Sequence, residues 1–122
     1  MIDHAVVRVR DLERSARFYE AALQPLGHRR LKEFPGFVGL GAGDKTDLWI
    51  GQDDAVTKGI HLAFASRDRK AVDAFHAAAL KAGGKDNGAP GPRAHYHPHY
   101  YGAFVLDPDG NNIEAVCHDP KG

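Results

Sequence analysis

The chain predicts an α+β fold: two βαβββ modules forming curved mixed sheets around a cleft, with the helices outside. Three observations predict it. The sequence repeats itself at an offset of 57 positions, His4 falling on His61, Arg10 on Arg67, Asp11 on Asp68 and Phe18 on Phe75. Ala21, Ala22 and Leu23 then fall on Ala78, Ala79 and Leu80, and Gly27 on Gly84, an ungapped series of eight identities. Strand-like runs of period two recur in both halves, and each half holds one apolar stripe of helical period opened by an aspartate. Neither half carries enough apolar residues for its own core, so modules of about 1–57 and 58–122 are expected to share one domain.

Each element has a local reason. Residues 2–10 alternate, with Ala5, Val7 and Val9 on one face and His4, Val6 and Arg8 on the other. Asp11 suits the N-cap of a helix that runs to Leu23 and stops at Gly27. Short strands are expected at 28–34, 36–41 and 47–51, separated by Pro35-Gly36 and Gly43-Asp44 turns. The order then repeats: a strand over 59–66, a helix capped by Asp68 and ended by Gly83-Gly84. The stretch 86–99, rich in Gly, Pro and His, predicts a loop. Last comes a hairpin, 101–106 with 112–118, about Asp107-Pro108-Asp109-Gly110.

Composition narrows the function. Sixteen basic residues balance sixteen acidic ones, so no charge excess points to nucleic acid. No apolar run approaches the length of a membrane span, and no leader is visible. The single Cys117 excludes an internal disulfide and fits a reducing compartment, so a cytoplasmic protein is expected, with Cys117 as inert core.

Strand parity puts His4, His61 and Glu114 on the concave, ligand-facing side. Two imidazoles and one carboxylate are a suitable shell for one divalent metal ion, Fe, Mn, Ni or Zn, with positions left open for substrate. Arg8 shares the His4 face and is expected to bind an anionic part of a small-molecule substrate. Trp49 is expected to form a cleft wall. Among the alternating histidines at 95, 97 and 99, His95 is a candidate acid or base, and His97 and Tyr100 are candidate substrate contacts. Asp107 and Asn111 read as turn formers.

The runs DHAVVRVRDLERSARFYEAAL, GIHLAFASRD and DPDGNNIEAV, in that order, resemble the vicinal oxygen chelate superfamily over nearly the whole chain. That superfamily includes glyoxalase I, extradiol dioxygenases, fosfomycin-modifying transferases and bleomycin-binding proteins. The resemblance implies a metal-dependent enzyme, glyoxalase-like of lyase or isomerase type, with dioxygenase or transferase chemistry or simple sequestration as alternatives. It implies His4, His61 and Glu114 as metal ligands, Glu114 also as a catalytic group, and Arg8 as the anion clamp. Trp49 stands where glyoxalase I has a fourth ligand. His95, Asp107, Pro108 and Glu114 match the extradiol signature, whose tyrosine is replaced by Phe104. A homodimer is also implied, with modules of different copies completing one site.

Overall fold

A computed structural model describes residues 1–122. The first module comprises β1 (Ala5–Val9), α1 (Leu12–Leu23), β2 (Arg29–Phe34), β3 (Phe37–Ala42) and β4 (Lys45–Gln52). The second comprises β5 (His61–Ala65), α2 (Arg69–Lys81), β6 (Lys85–Pro92), β7 (Tyr101–Leu106) and β8 (Asn112–Cys117). Each forms a separate four-stranded sheet, ordered β1-β4-β3-β2 and β5-β8-β7-β6. In both, the first strand pairs in parallel with the last and the remaining pairs are antiparallel. The sequence repeat is therefore a repeat of topology.

The helix ends follow their caps. Asp11 accepts from Arg14 N at 3.2 Å and Asp68 from Ala71 N at 2.7 Å, each meeting a helix-end N–H that has no intrahelical partner. Gly27 and Gly83 follow the helical segments at φ +91° and +101°, a left-handed geometry that residues with a Cβ resist. Each helix lays its apolar stripe on its own sheet, and the two helices touch. Phe18, Tyr19, Ala22 and Leu23 from α1 and Val72, Phe75 and Ala79 from α2 join Val7, Val9, Leu40, Ile50, Val105, Ile113 and Cys117 in one buried cluster. Burial of each large side chain is worth about 1.5–3 kcal/mol, so the shared cluster holds both modules together. Cys117 lies in this core, as its parity implied.

The expectation of a loop over 86–99 is corrected. Lys85–Pro92 forms β6, and the irregular segment begins only at Arg93. Gly88, Pro90 and Pro92 hide the strand because they break alternation, yet β6 is an edge strand, where a missing donor is tolerated. Its pairing with β7 slips twice, between Asp86 and Gly88 and between Gly88 and Gly91.

Two buried polar residues of the closing hairpin fasten the modules to each other. Asp107 accepts the Tyr19 hydroxyl from α1 through one oxygen, while the other takes the N–H groups of Asp109 and Asn111 at 3.0 and 2.8 Å. Asn111 donates to the Thr57 carbonyl at 2.8 Å and accepts from Ile60 N at 3.2 Å, both in the connection between modules. These residues form the turn, as expected, and also anchor it. No helix is long and apolar enough to cross a membrane.

Candidate functional site

Strand register brings His61 and Glu114 together. On β5, His61, Ala63 and Ala65 point away from the helices, and β8 beside it presents Asn112, Glu114 and Val116 on the same side. His61 Nε2 lies 2.8 Å from Glu114 Oε1. An ionised carboxylate only accepts, so the imidazole N–H donates. The two environments differ sharply: the His61 side chain is 51% exposed and that of Glu114 only 1%. A buried carboxylate must be met by donors. Its second oxygen takes the hydroxyl of Tyr100. Burial and then the neighbouring Glu114 push the Tyr100 phenol well above the ordinary tyrosine range, so it keeps its proton at neutral pH.

The surroundings are aromatic and basic. Phe104, cross-strand neighbour of Glu114, lies 6.0 Å from the His61 ring, and the Arg93 guanidinium sits 5.4 Å above Phe104. Arg93 donates to the carbonyls of Gly91 and Ala89, both at 2.8 Å, and pairs with no carboxylate. Sequence reasoning missed it, because a lone arginine in a Gly/Pro-rich stretch has no periodicity to assign it a face.

The other expected residues lie in different settings. His4, just before β1, donates from Nδ1 to Asp3 at 2.8 Å, and Lys45 pairs with the same carboxylate at 2.8 Å. Lys45 and then His4 hold Asp3 below the usual carboxylate range, so it stays ionised and fixes the His4 tautomer. Nε2 of His4 has no hydrogen-bond partner within the chain. Within one chain, His4 does not join the His61–Glu114 pair, and no group of three His, Cys, Asp or Glu side chains converges on a point. Arg8 is bound through Nη1 to Asp53 at 2.8 Å. The backbone N–H of Ala55, followed by Arg8, lowers the Asp53 pKa.

Trp49 occupies the place its register predicts. Val6 pairs with Trp49 just as Ala63 pairs with Glu114, so the repeat makes Trp49 the counterpart of Glu114. Its ring lies flat on the sheet because its cross-strand neighbour is Gly39, where a Cβ would come 2.9 Å from the indole. Phe34 stacks on it at 6.0 Å. An indole is no ligand, and this face is an aromatic wall.

His97 and Tyr100 belong to the loop after β6. His99 N donates to His97 Nδ1 at 3.1 Å, so His97 carries its proton on Nε2 and donates it to His118 Nδ1 at 2.7 Å. His95 packs against Tyr96, with ring centroids 4.3 Å apart. It is exposed on the loop. Tyr100 is the member of this group that reaches Glu114.

Ligand bonds of about 2.0–2.2 Å at a right angle separate neighbouring donors by about 2.8–3.1 Å, the spacing that His61 and Glu114 show. That pair fits one edge of a coordination shell. One chain supplies this edge and holds the expected third donor, His4, just before the first strand of its other sheet.

Comparison with known proteins agrees with the fold. A family model, Glyoxalase/Bleomycin resistance protein/Dioxygenase superfamily, matches residues 1–115. A glyoxalase/bleomycin resistance protein from Albidiferax ferrireducens T118 is 33% identical, with a TM-score of 0.84 over 96% of this chain and 98% of that one. A glyoxalase/bleomycin resistance protein/dioxygenase family enzyme from Burkholderia phytofirmans PsJN shares the fold at 23% identity and TM-score 0.75, over 96% of this chain and 98% of its own. Glyoxalase I from Zea mays is 27% identical with TM-score 0.70; 94% of this chain matches 43% of that longer one. No curated protein matches. The chain belongs to the Glyoxalase/Bleomycin resistance protein/Dioxygenase superfamily.

Proposed function

We propose that this chain is a glyoxalase-like, divalent-metal-dependent enzyme of lyase or isomerase type, working as a homodimer on a small anionic molecule with neighbouring oxygens. The observation that carries the reading is the His61–Glu114 pair, 2.8 Å apart on the open face of the second sheet, with the carboxylate buried and held by two donors. His61 and Glu114 of one copy, with His4 of the other, would hold the ion, which is Fe, Mn, Ni or Zn. When bound, it would act as a Lewis acid on the substrate's oxygens.

The remaining work falls to the protein. Asp3 orients His4 through its Nδ1–H, as outer-shell carboxylates do for ligating histidines. Glu114 would also serve as the base toward a proton on a carbon beside the substrate's oxygens. His95, exposed on the neighbouring loop, is the second acid–base group, with His97 and Tyr100 beside it. Arg8 shares the face of His4 and serves the substrate's anionic end, in competition with Asp53. Trp49 walls the cleft. We place the protein in the cytoplasm, a reducing compartment that suits its lone thiol, Cys117.

The test is metal titration by calorimetry, followed by a screen of α-oxoaldehydes, catechols and epoxides against iron-, manganese-, nickel- and zinc-loaded protein. Wild type should bind about one ion per chain, and Glu114→Gln should lose both affinity and activity while keeping its fold. Equal weak binding by both proteins would end the metal-dependent reading.

A non-catalytic small-molecule-binding protein is the second reading. It is favoured by one observation: a single chain gathers only the His61–Glu114 edge. Tight ligand binding by metal-free protein, unchanged in Glu114→Gln, would establish it.

A further inference from the structure

Glu114 has two oxygens with different neighbours, and the second neighbour has no role in the sequence pattern of the fold. Oε1 faces His61, while Oε2 takes the Tyr100 hydroxyl. The phenol does not reach the carboxylate by chance of rotamer. Its ring is bracketed edge-on by Tyr96 at 4.8 Å, His97 at 5.4 Å and His118 at 5.3 Å. The loop that carries it is closed by Arg93 N donating to the Tyr100 carbonyl at 2.8 Å, and is tied to His118 through His97 at 2.7 Å. Beneath the ring is Gly102, where a Cβ would stand 3.1 Å from the Tyr100 ring and 3.2 Å from Glu114 Oε2. Both are closer than ordinary van der Waals contact. Glycine therefore leaves open the space through which the phenol meets the carboxylate.

We propose that Tyr100 is a positioning residue: its hydroxyl holds Oε2 of Glu114, so that Oε1 alone is presented on the His61 side. The use made of the presented oxygen rests on the proposed function; the hold on Oε2 does not. Loss of the phenol leaves a buried carboxylate oxygen without a donor, a cost the side chain relieves by turning toward another partner. Tyr100 also makes a bidentate carboxylate at this position unfavourable, because Oε2 would have to give up its only donor.

The test reads the carboxylate's position. In metal-free, full-length protein, crystal structures of Tyr100→Phe and Gly102→Ala should show the Glu114 side chain turned, with Oε1 out of hydrogen-bond reach of His61 Nε2, from which it stands 2.8 Å in the wild type. Gly102→Ala retains the hydroxyl and carries the test should Tyr100→Phe fail to fold. An unmoved carboxylate in both variants overturns the proposal. Zinc titration of the same proteins separates the two ideas. A displaced carboxylate in variants of a protein that binds no zinc upholds the role of Tyr100 and ends the metal reading. Tight zinc binding by wild type, with an unmoved carboxylate in the variants, does the reverse.

Discussion

Mixing two inactive variants tests whether His4 and His61 serve one site from different copies. His4→Ala and His61→Ala each remove one imidazole; the first side chain is half-exposed and bonded only to its neighbour Asp3, the second is 51% exposed. Neither change opens the core, so each should cost under about 1 kcal/mol of folding stability. If a site takes His4 from one copy and His61 with Glu114 from the other, each variant homodimer has two broken sites. Equal mixing, followed by subunit exchange, gives hybrids as about half of all dimers, and each hybrid has one site with both histidines intact. Metal binding and activity should therefore return to about a quarter of the wild-type level. The assay is metal per chain by equilibrium dialysis, before and after exchange at micromolar concentration. A site built within one chain yields no recovery at any mixing ratio, and that result would refute the two-copy arrangement. Persistent monomer on sedimentation would refute it more directly.

Three further perturbations reach other parts of the argument. Tyr19→Phe removes the donor to a buried oxygen of Asp107 and should destabilise the protein by about 1.5–3 kcal/mol in urea unfolding at pH 7; a loss under about 0.5 kcal/mol would mean the hydroxyl is dispensable. The phenols of Tyr19, Tyr100 and Tyr101 are all raised, Tyr19 chiefly by burial, Tyr100 by burial and then Glu114, Tyr101 chiefly by its hydrogen bond to Asp73. Their contribution is complete below about pH 10 and lost above it, because the unfolded chain releases protons that the folded chain keeps. Unfolding between pH 9 and 11 should show this decline, and it should be shallower in Tyr19→Phe. Arg8→Met, once a substrate is known, should weaken binding of an anionic compound by about 1.5–3 kcal/mol in calorimetry, and an unaltered affinity would leave Arg8 as the partner of Asp53 only.

Much of the fold was legible because the repeat and strand parity are local signals. Asp11 and Asp68 cap where expected, and the parity that sent His61 and Glu114 to one face also buried Ile113, Ala115 and Cys117 on the other. β6 was not legible. Its Gly and Pro residues erase the period-two pattern, and only the edge position makes the strand possible. Tyr100 was named as a substrate contact, while its hydroxyl in this structure goes to Glu114; the bond depends on an open Gly102, which no spacing announces. Asp107 read as a turn former, and its bond to Tyr19 spans the chain in a way only packing reveals.

The two halves kept a common core and exchanged their surfaces. Phe18 and Phe75, and Ala22 and Ala79, are fully buried at equivalent helix positions, so the repeat persists where packing demands it. On the open faces the equivalent cross-strand pairs are Gly39 with Trp49 and Phe104 with Glu114. Large and small are reversed between the halves, and an indole stands where the other half has an acid. His4 therefore has no carboxylate across its own sheet and turns to Asp3, while His61 has Glu114 beside it. A duplicated chain that kept both carboxylates would have two like half-sites. This one has a histidine beside an aromatic face in one module and a histidine beside a buried carboxylate in the other. In the proposed homodimer a two-fold axis would set the first sheet of one copy against the second of its partner, so that each of two equivalent sites would receive one face of each kind.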